Sequence, residues 1–183
     1  PVRHELHGKP HNFLNGWLFN YVAATPGVEA SDNASVILDP DNMPQPDCVL
    51  LVKPEFGGQA RIDEKGYIAG APELVAEIAA SSVSLDMNDK LKVYRRNEVR
   101  EYLVWRVEDQ AIDWFVLREG IYTPITPGSD GLLRSEVFPG LWLDFAALLR
   151  GDLATVLAGL RRGIDSPEHA ESVANRGGAK SND

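Results

Sequence analysis

The stretch PELVAEIAASS, residues 72–82, sets a carboxylate in the middle of an apolar run. Leu74, Val75, Ala76, Ile78 and Ala79 are apolar at nearly consecutive positions, with Pro72 before them and Ser81 and Ser82 after. A short run of this kind, bounded by turn-forming residues, predicts a strand covered on both faces. Glu77 conflicts with that environment. An unpaired buried carboxylate costs several kcal/mol or takes up a proton, so Glu77 needs either a bound cation or a structural partner such as an arginine or a backbone group.

The rest of the chain supplies layers to cover such a strand. His11 to Ala24 carries Phe13, Leu14, Trp17, Leu18 and Tyr21 at helical spacing and stops at Pro26-Gly27. Val28 to Leu38 reads as a strand interrupted near Ser31 to Asn33, and Asp39 to Pro46 as a turn-rich connection into Asp47 and the strand CVLLV. Lys53 to Gly70 shows no period and predicts a long loop. Asp86 to Arg96 predicts a helix capped by Asp86 and stopped by a left-handed Asn97. Strands follow at Glu101–Val107, Ala111–Arg118 and Ile121–Ile125, the last two joined at Glu119-Gly120, before an amphipathic helix over Phe145–Leu160. Residues 1–164 are thus expected to form a single α/β domain, a mixed sheet flanked by helices, and residues 165–183 a flexible tail.

Bulk properties narrow the function. With 183 residues and 44% hydrophobic content the chain has the composition of a globular protein, and no apolar stretch reaches the roughly 20 residues of a membrane span. Its one cysteine, Cys48, excludes an internal disulfide framework, fits a cytoplasmic location, and sits in an apolar strand as a small buried hydrophobe. A formal net charge of −9 argues against a surface that coats DNA, yet Lys90 to Arg106 holds six basic residues against two acidic ones.

Asp47 and Glu77 stand at the mouth and middle of core strands. Paired acidic oxygens attract a hard cation, and Mg²⁺ characteristically binds one or two protein carboxylates while keeping waters. On the following helix, Met87, Leu91 and Tyr94 form the buried stripe. Lys90 then lies roughly 65° from the centre of that stripe and Lys92 roughly 130° away, so Lys90 can reach along the flank toward the sheet. A snorkelling surface lysine is the plain alternative. His4 and His7 have ligand-like spacing but are expected to be solvated, and Glu101 either supports the site's ligands or, as the preferred reading, simply begins its strand.

Three segments, QPDCVLLV, GYIAGAPELVAEIAASS and DKLKVYRRNEVREYLVWRVED, together resemble the bacterial Uma-two family of restriction endonucleases in the PD-(D/E)xK superfamily. The resemblance runs from about His11 to Trp142. The family pattern falls on Pro46-Asp47, on Glu77 with Ser81, on Lys90-Leu91 and Tyr94, and on Glu101-Tyr102. Where the superfamily carries a strand lysine this chain has Ala79, and the resemblance implies that Lys90 replaces it. The family's upstream acidic segment is not recognisable; Glu5 and His11 are the nearest candidates for an N-terminal ligand. The resemblance implies a restriction-endonuclease-like core and hydrolysis of DNA phosphodiesters. Asp47 and Glu77 would hold Mg²⁺ (or Mn²⁺), and Lys90 would stabilise developing charge. Cutting both strands needs two sites, which implies a homodimer. A catalytically inactive scaffold that keeps the fold is the alternative.

Overall fold

The computed structural model describes residues 2–80 and 85–178, with the side chains of residues 85, 86, 177 and 178 outside that description. Ser81, Ser82 and the Asp86 cap therefore lie outside it. A π-helical turn, His4–Gly8, leads into α1 (Lys9–Ala24), followed by β1 (Val28–Asp32), β2 (Val36–Ile37) and β3 (Cys48–Val52). Next come β4 (Arg61–Ile62), β5 (Ile68–Ala69) and β6 (Leu74–Ala79). A π-wound turn, Leu85–Lys90, runs into α2 (Leu91–Arg96), then β7 (Glu101–Arg106), β8 (Ala111–Arg118) and β9 (Ile121–Pro124). The chain continues through β10 (Leu133–Arg134), β11 (Trp142–Leu143), α3 (Phe145–Leu149), α4 (Leu153–Ile164) and α5 (Pro167–Gly178).

The main sheet has the order β1-β3-β6-β7-β8-β9, and β6 runs parallel to β7 while the other neighbours are antiparallel. The mixed α/β architecture read from the sequence is the one observed. Strand alternation divides the core into two layers. Leu50, Leu74, Ala76, Ile78, Leu103 and Trp105 pack with Leu14, Trp17, Leu18 and Tyr21 of α1, which follow a spacing of i, i+3, i+4, i+7. Val49, Leu51, Val75, Ala79 and Val104 pack on the opposite face with Tyr94 of α2. Every residue of β3 and β6 is buried, as expected for strands covered on both sides. Glu77 shares the parity of Val75 and Ala79, so the pleat turns it toward α2.

Several sequence expectations shift. The loop expected over Lys53–Gly70 instead holds a 3₁₀ turn at Pro54–Phe56 and the strands β4 and β5, which join β2 in a small sheet. Two-residue strands are too short to show a period. Buried Glu73 fixes this segment by accepting from the backbone N–H groups of Val52 (2.7 Å) and Gln59 (2.9 Å). The helix stop also moves by one residue. Asn97 stays right-handed at φ −91°, with its side-chain amide donating to Val93 O and Asp39 Oδ2, and Glu98 takes the left-handed turn at φ 63°. The helix expected over Phe145–Leu160 breaks where Gly151 adopts φ +74° and Asp152 starts a new helix by accepting from Thr155 N.

The flexible tail read from residue 165 onward gives way over Pro167–Gly178 to α5. Ser166, Pro167 and Glu168 supply a hydroxyl, a proline at the first helical position and an acid in the first turn, all of which favour a helix start. Buried His169 anchors the helix, its Nε2 lying 2.9 Å from Thr25 Oγ1 and its ring 5.8 Å from that of Tyr21.

Candidate active site

Strand register brings the first two acids together. Cys48 of β3 pairs with Ala76 of antiparallel β6, so continuing the register by one residue sets Asp47 opposite Glu77. Asp47 Oδ2 accepts from the backbone N–H of Ile78 at 2.7 Å, which locks the carboxylate beside β6. The thirty-residue separation in sequence is thus closed by a single antiparallel pairing. Asp47, Glu77 and Lys90 all line one cleft of about 300 Å³, together with His7, Gln45 and Arg3.

Glu77 is only 3% exposed, and its Oε1 meets Lys90 Nζ at 3.0 Å and accepts from Tyr94 OH at 2.8 Å. Tyr94 lies four residues after Lys90, one helical turn on, so both reach the same oxygen. The expected position of Lys90 on the sheet-facing flank is the observed one. Burial pushes the Glu77 carboxyl up to about 7, and the nearby Asp47 charge acts in the same direction, against the lowering effects of Lys90 and Tyr94. The Lys90 side chain remains 29% exposed, so its ammonium is poised between the carboxylate and the solvent of the cleft.

On the other side of Asp47 stand two histidines. His7 Nε2 lies 3.2 Å from Asp47 Oδ1, and His11 Nε2 lies 2.8 Å from the Asp47 carbonyl oxygen and 2.8 Å from Asp32 Oδ1. The expectation that His7 is solvated is overturned: it is partly buried against the site, because the π-helical turn and α1 carry it back across the end of β3. His4 does stay exposed. Of the two candidates for an N-terminal ligand, His11 reaches Asp47, whereas exposed Glu5 pairs with Lys9 and His4. The i, i+4 spacing of His7 and His11 was the sequence signal available for the pair.

Glu101 belongs elsewhere. It shares the face of Leu103 and Trp105, opposite to the one that carries Glu77. Its oxygens accept from Ser135 Oγ, Glu136 N, Val137 N and Trp114 Nε1, so it anchors the segment before β11 to the sheet. Cys48, fully buried with its thiol toward Asn15 Oδ1, is raised far above the ordinary thiol range by burial and is inert as a nucleophile.

The sequence matches the Uma2 family, described as "Putative restriction endonuclease", over residues 1–146. A crystal structure from Anabaena variabilis ATCC 29413, described as a "putative nuclease belonging to DUF820", is similar to this chain with a TM-score of 0.62 at 15% identity. The match covers 82% of this chain and 83% of that one. No curated protein matches the chain.

Proposed function

The chain belongs to the Uma2 family, and on that premise we propose that it is a metal-dependent nuclease hydrolysing DNA phosphodiester bonds. The observation that carries this reading is the convergence of Asp47, Glu77 and Lys90 on one cleft, from the residue before β3, from β6 and from the end of the turn that leads into α2. The donor set fits a divalent cation: an acid tethered through Oδ2, a buried acid held through Oε1 by Lys90 and Tyr94, and open cleft beside them. Asp47 and Glu77 would hold Mg²⁺ or Mn²⁺. A cation bound there polarises the phosphoryl oxygens and lowers the pKa of a water.

The chain's own groups do the rest. Lys90 swings its ammonium from Glu77 toward the scissile phosphate and stabilises the charge that develops on it. Tyr94 keeps the Glu77 carboxylate oriented by its hydrogen bond. Lys92, Arg95, Arg96 and Arg100 line a groove on the same helix and the turn after it, which offers phosphate contacts despite the acidic whole.

A second reading is favoured by one specific contact. Lys90 and Tyr94 already satisfy Glu77 without a cation, as an inactive scaffold's closed ion pair would. Cleavage of supercoiled plasmid decides between the two. With Mg²⁺ or Mn²⁺ the expected result is nicking and linearisation, none in EDTA, and a rate lower by on the order of 10²-fold for Lys90→Ala. No cleavage of duplex or single-stranded DNA with either ion favours the scaffold.

The proposed assembly is a two-fold homodimer, since duplex cleavage requires two such clefts. Light scattering at micromolar concentration is expected to give twice the chain mass of 20.1 kDa. A monomer that still linearises plasmid rules that assembly out.

No helix of the described residues is long and apolar enough to cross a membrane.

A further inference from the structure

The histidine side of the cleft has a different chemistry from its carboxylate side. One ring nitrogen of His7, one of His11 and one oxygen of Asp47 all lie within 4.8 Å of one another. The two rings are 5.6 Å apart between centroids and tilted by 47°, so they converge instead of stacking. We propose that His7, His11 and Asp47 bind a late divalent first-row transition-metal ion, of the Zn²⁺ or Co²⁺ class, at the mouth of the cleft. Mg²⁺ takes oxygen donors almost exclusively, whereas imidazole nitrogen selects the later first-row metals. Two histidines and one carboxylate supply three protein ligands, and the cleft lined by His7 and Asp47 leaves the remaining positions open to solvent or substrate.

The surroundings of His11 support a ligand role. Its Nε2 faces two acceptors, the Asp47 carbonyl oxygen and Asp32 Oδ1, each at 2.8 Å. Both partners are acceptors, so Nε2 is the donor in the metal-free arrangement. A ligating histidine characteristically donates its other N–H to a carboxylate or carbonyl, which fixes the ring and raises its basicity. Binding through Nδ1 keeps that support, and binding through Nε2 replaces its proton with the ion. His11 is only 13% exposed and α1 holds it, while His7 comes from the adjoining turn, so one continuous segment carries both rings to Asp47.

Asp47 is shared with the cation site of the nuclease reading, but the binding inference stands on its own geometry. Metal-stripped protein titrated with Co²⁺ and followed by its visible d–d absorption tests it without any activity measurement. Saturation at one equivalent is expected, with Zn²⁺ displacing the cobalt. His7→Gln and His11→Gln are each expected to weaken Co²⁺ binding at least tenfold, and Asp32→Asn about tenfold through loss of ring support. His4→Gln, which alters an exposed ring, should leave binding unchanged. Far-ultraviolet circular dichroism of each variant checks that it is folded. Wild-type affinity in either His7→Gln or His11→Gln overturns the proposal, as does an affinity lost only in Glu77→Gln. Cobalt binding through the histidines in a protein that cuts no DNA sinks the nuclease reading alone.

Discussion

Glu77→Gln is expected to lower DNA cleavage by on the order of 10³-fold or more, while its melting temperature in EDTA stays within about 3 °C of wild type. The activity loss follows from removing one of the two carboxylates that face the cleft. The small stability change follows from which effect wins at Glu77. Burial raises its carboxyl to about 7 even with Lys90 and Tyr94 beside it, so desolvation outweighs the pairing. A neutral amide of nearly the same shape escapes that penalty and the repulsion from Asp47. Lys90 loses the Glu77 contact, but its side chain is already 29% exposed, so its ammonium is not a buried charge. Were the pair a structural ion pair, the same change would strand a buried charge at a cost of about 3–5 kcal/mol. For a chain of this size that is a drop of roughly 10 °C. Calorimetry of both proteins, with and without Mg²⁺, separates the cases: a large loss in EDTA removes Glu77 from the metal site.

The largest stability effect is expected at Glu101. Glu101→Ala removes the acceptor for Ser135 Oγ, for the backbone N–H groups of Glu136 and Val137, and for Trp114 Nε1. Each stranded buried donor costs about 1–3 kcal/mol, and a cavity adds to the loss. The total is expected to reach about 4 kcal/mol, measured by urea unfolding. Cleavage per folded molecule should be unchanged, because Glu101 lies on the face of the sheet away from Glu77. Loss of activity without loss of stability would show that Glu101 serves the cleft instead.

The same residue gives a pH dependence of definite sign. Burial raises the Glu101 carboxyl to about 7 in the folded protein, from the ordinary glutamate value of 4.5. Between those two values the folded state holds a proton that the unfolded chain has lost. Stability from this group is therefore fully present below about pH 4.5 and declines as pH rises through about 7. Glu77 contributes with the same sign. The wild-type melting temperature is expected to fall between pH 5 and pH 8, and the fall should be shallower in Glu101→Ala.

Local pattern alone determined much of this protein. The apolar run around Glu77 specified a strand covered on both faces, and the stripe of Leu91 and Tyr94 fixed the face of α2, and with it the direction in which Lys90, just before the helix, reaches the sheet. Asp47 was marked by its place at the opening of a buried strand. These are short-range properties, set by the two-residue and 3.6-residue periods of backbone geometry. Tertiary structure decided what those periods cannot carry. Antiparallel register, not spacing, put Asp47 opposite Glu77, and the path of the first turn and α1 across the end of β3 brought His7 and His11 to Asp47. Sheet parity sent Glu101 to the opposite face from Glu77, where five hydrogen bonds define a structural role that its sequence neighbours do not reveal. Helix α5 has start signals of its own but an anchor, Thr25, that lies 144 residues away from His169. The backbone encodes its own periodicity within a few residues, whereas a partner across the core is chosen by packing, and packing exists only once the whole chain has closed on itself.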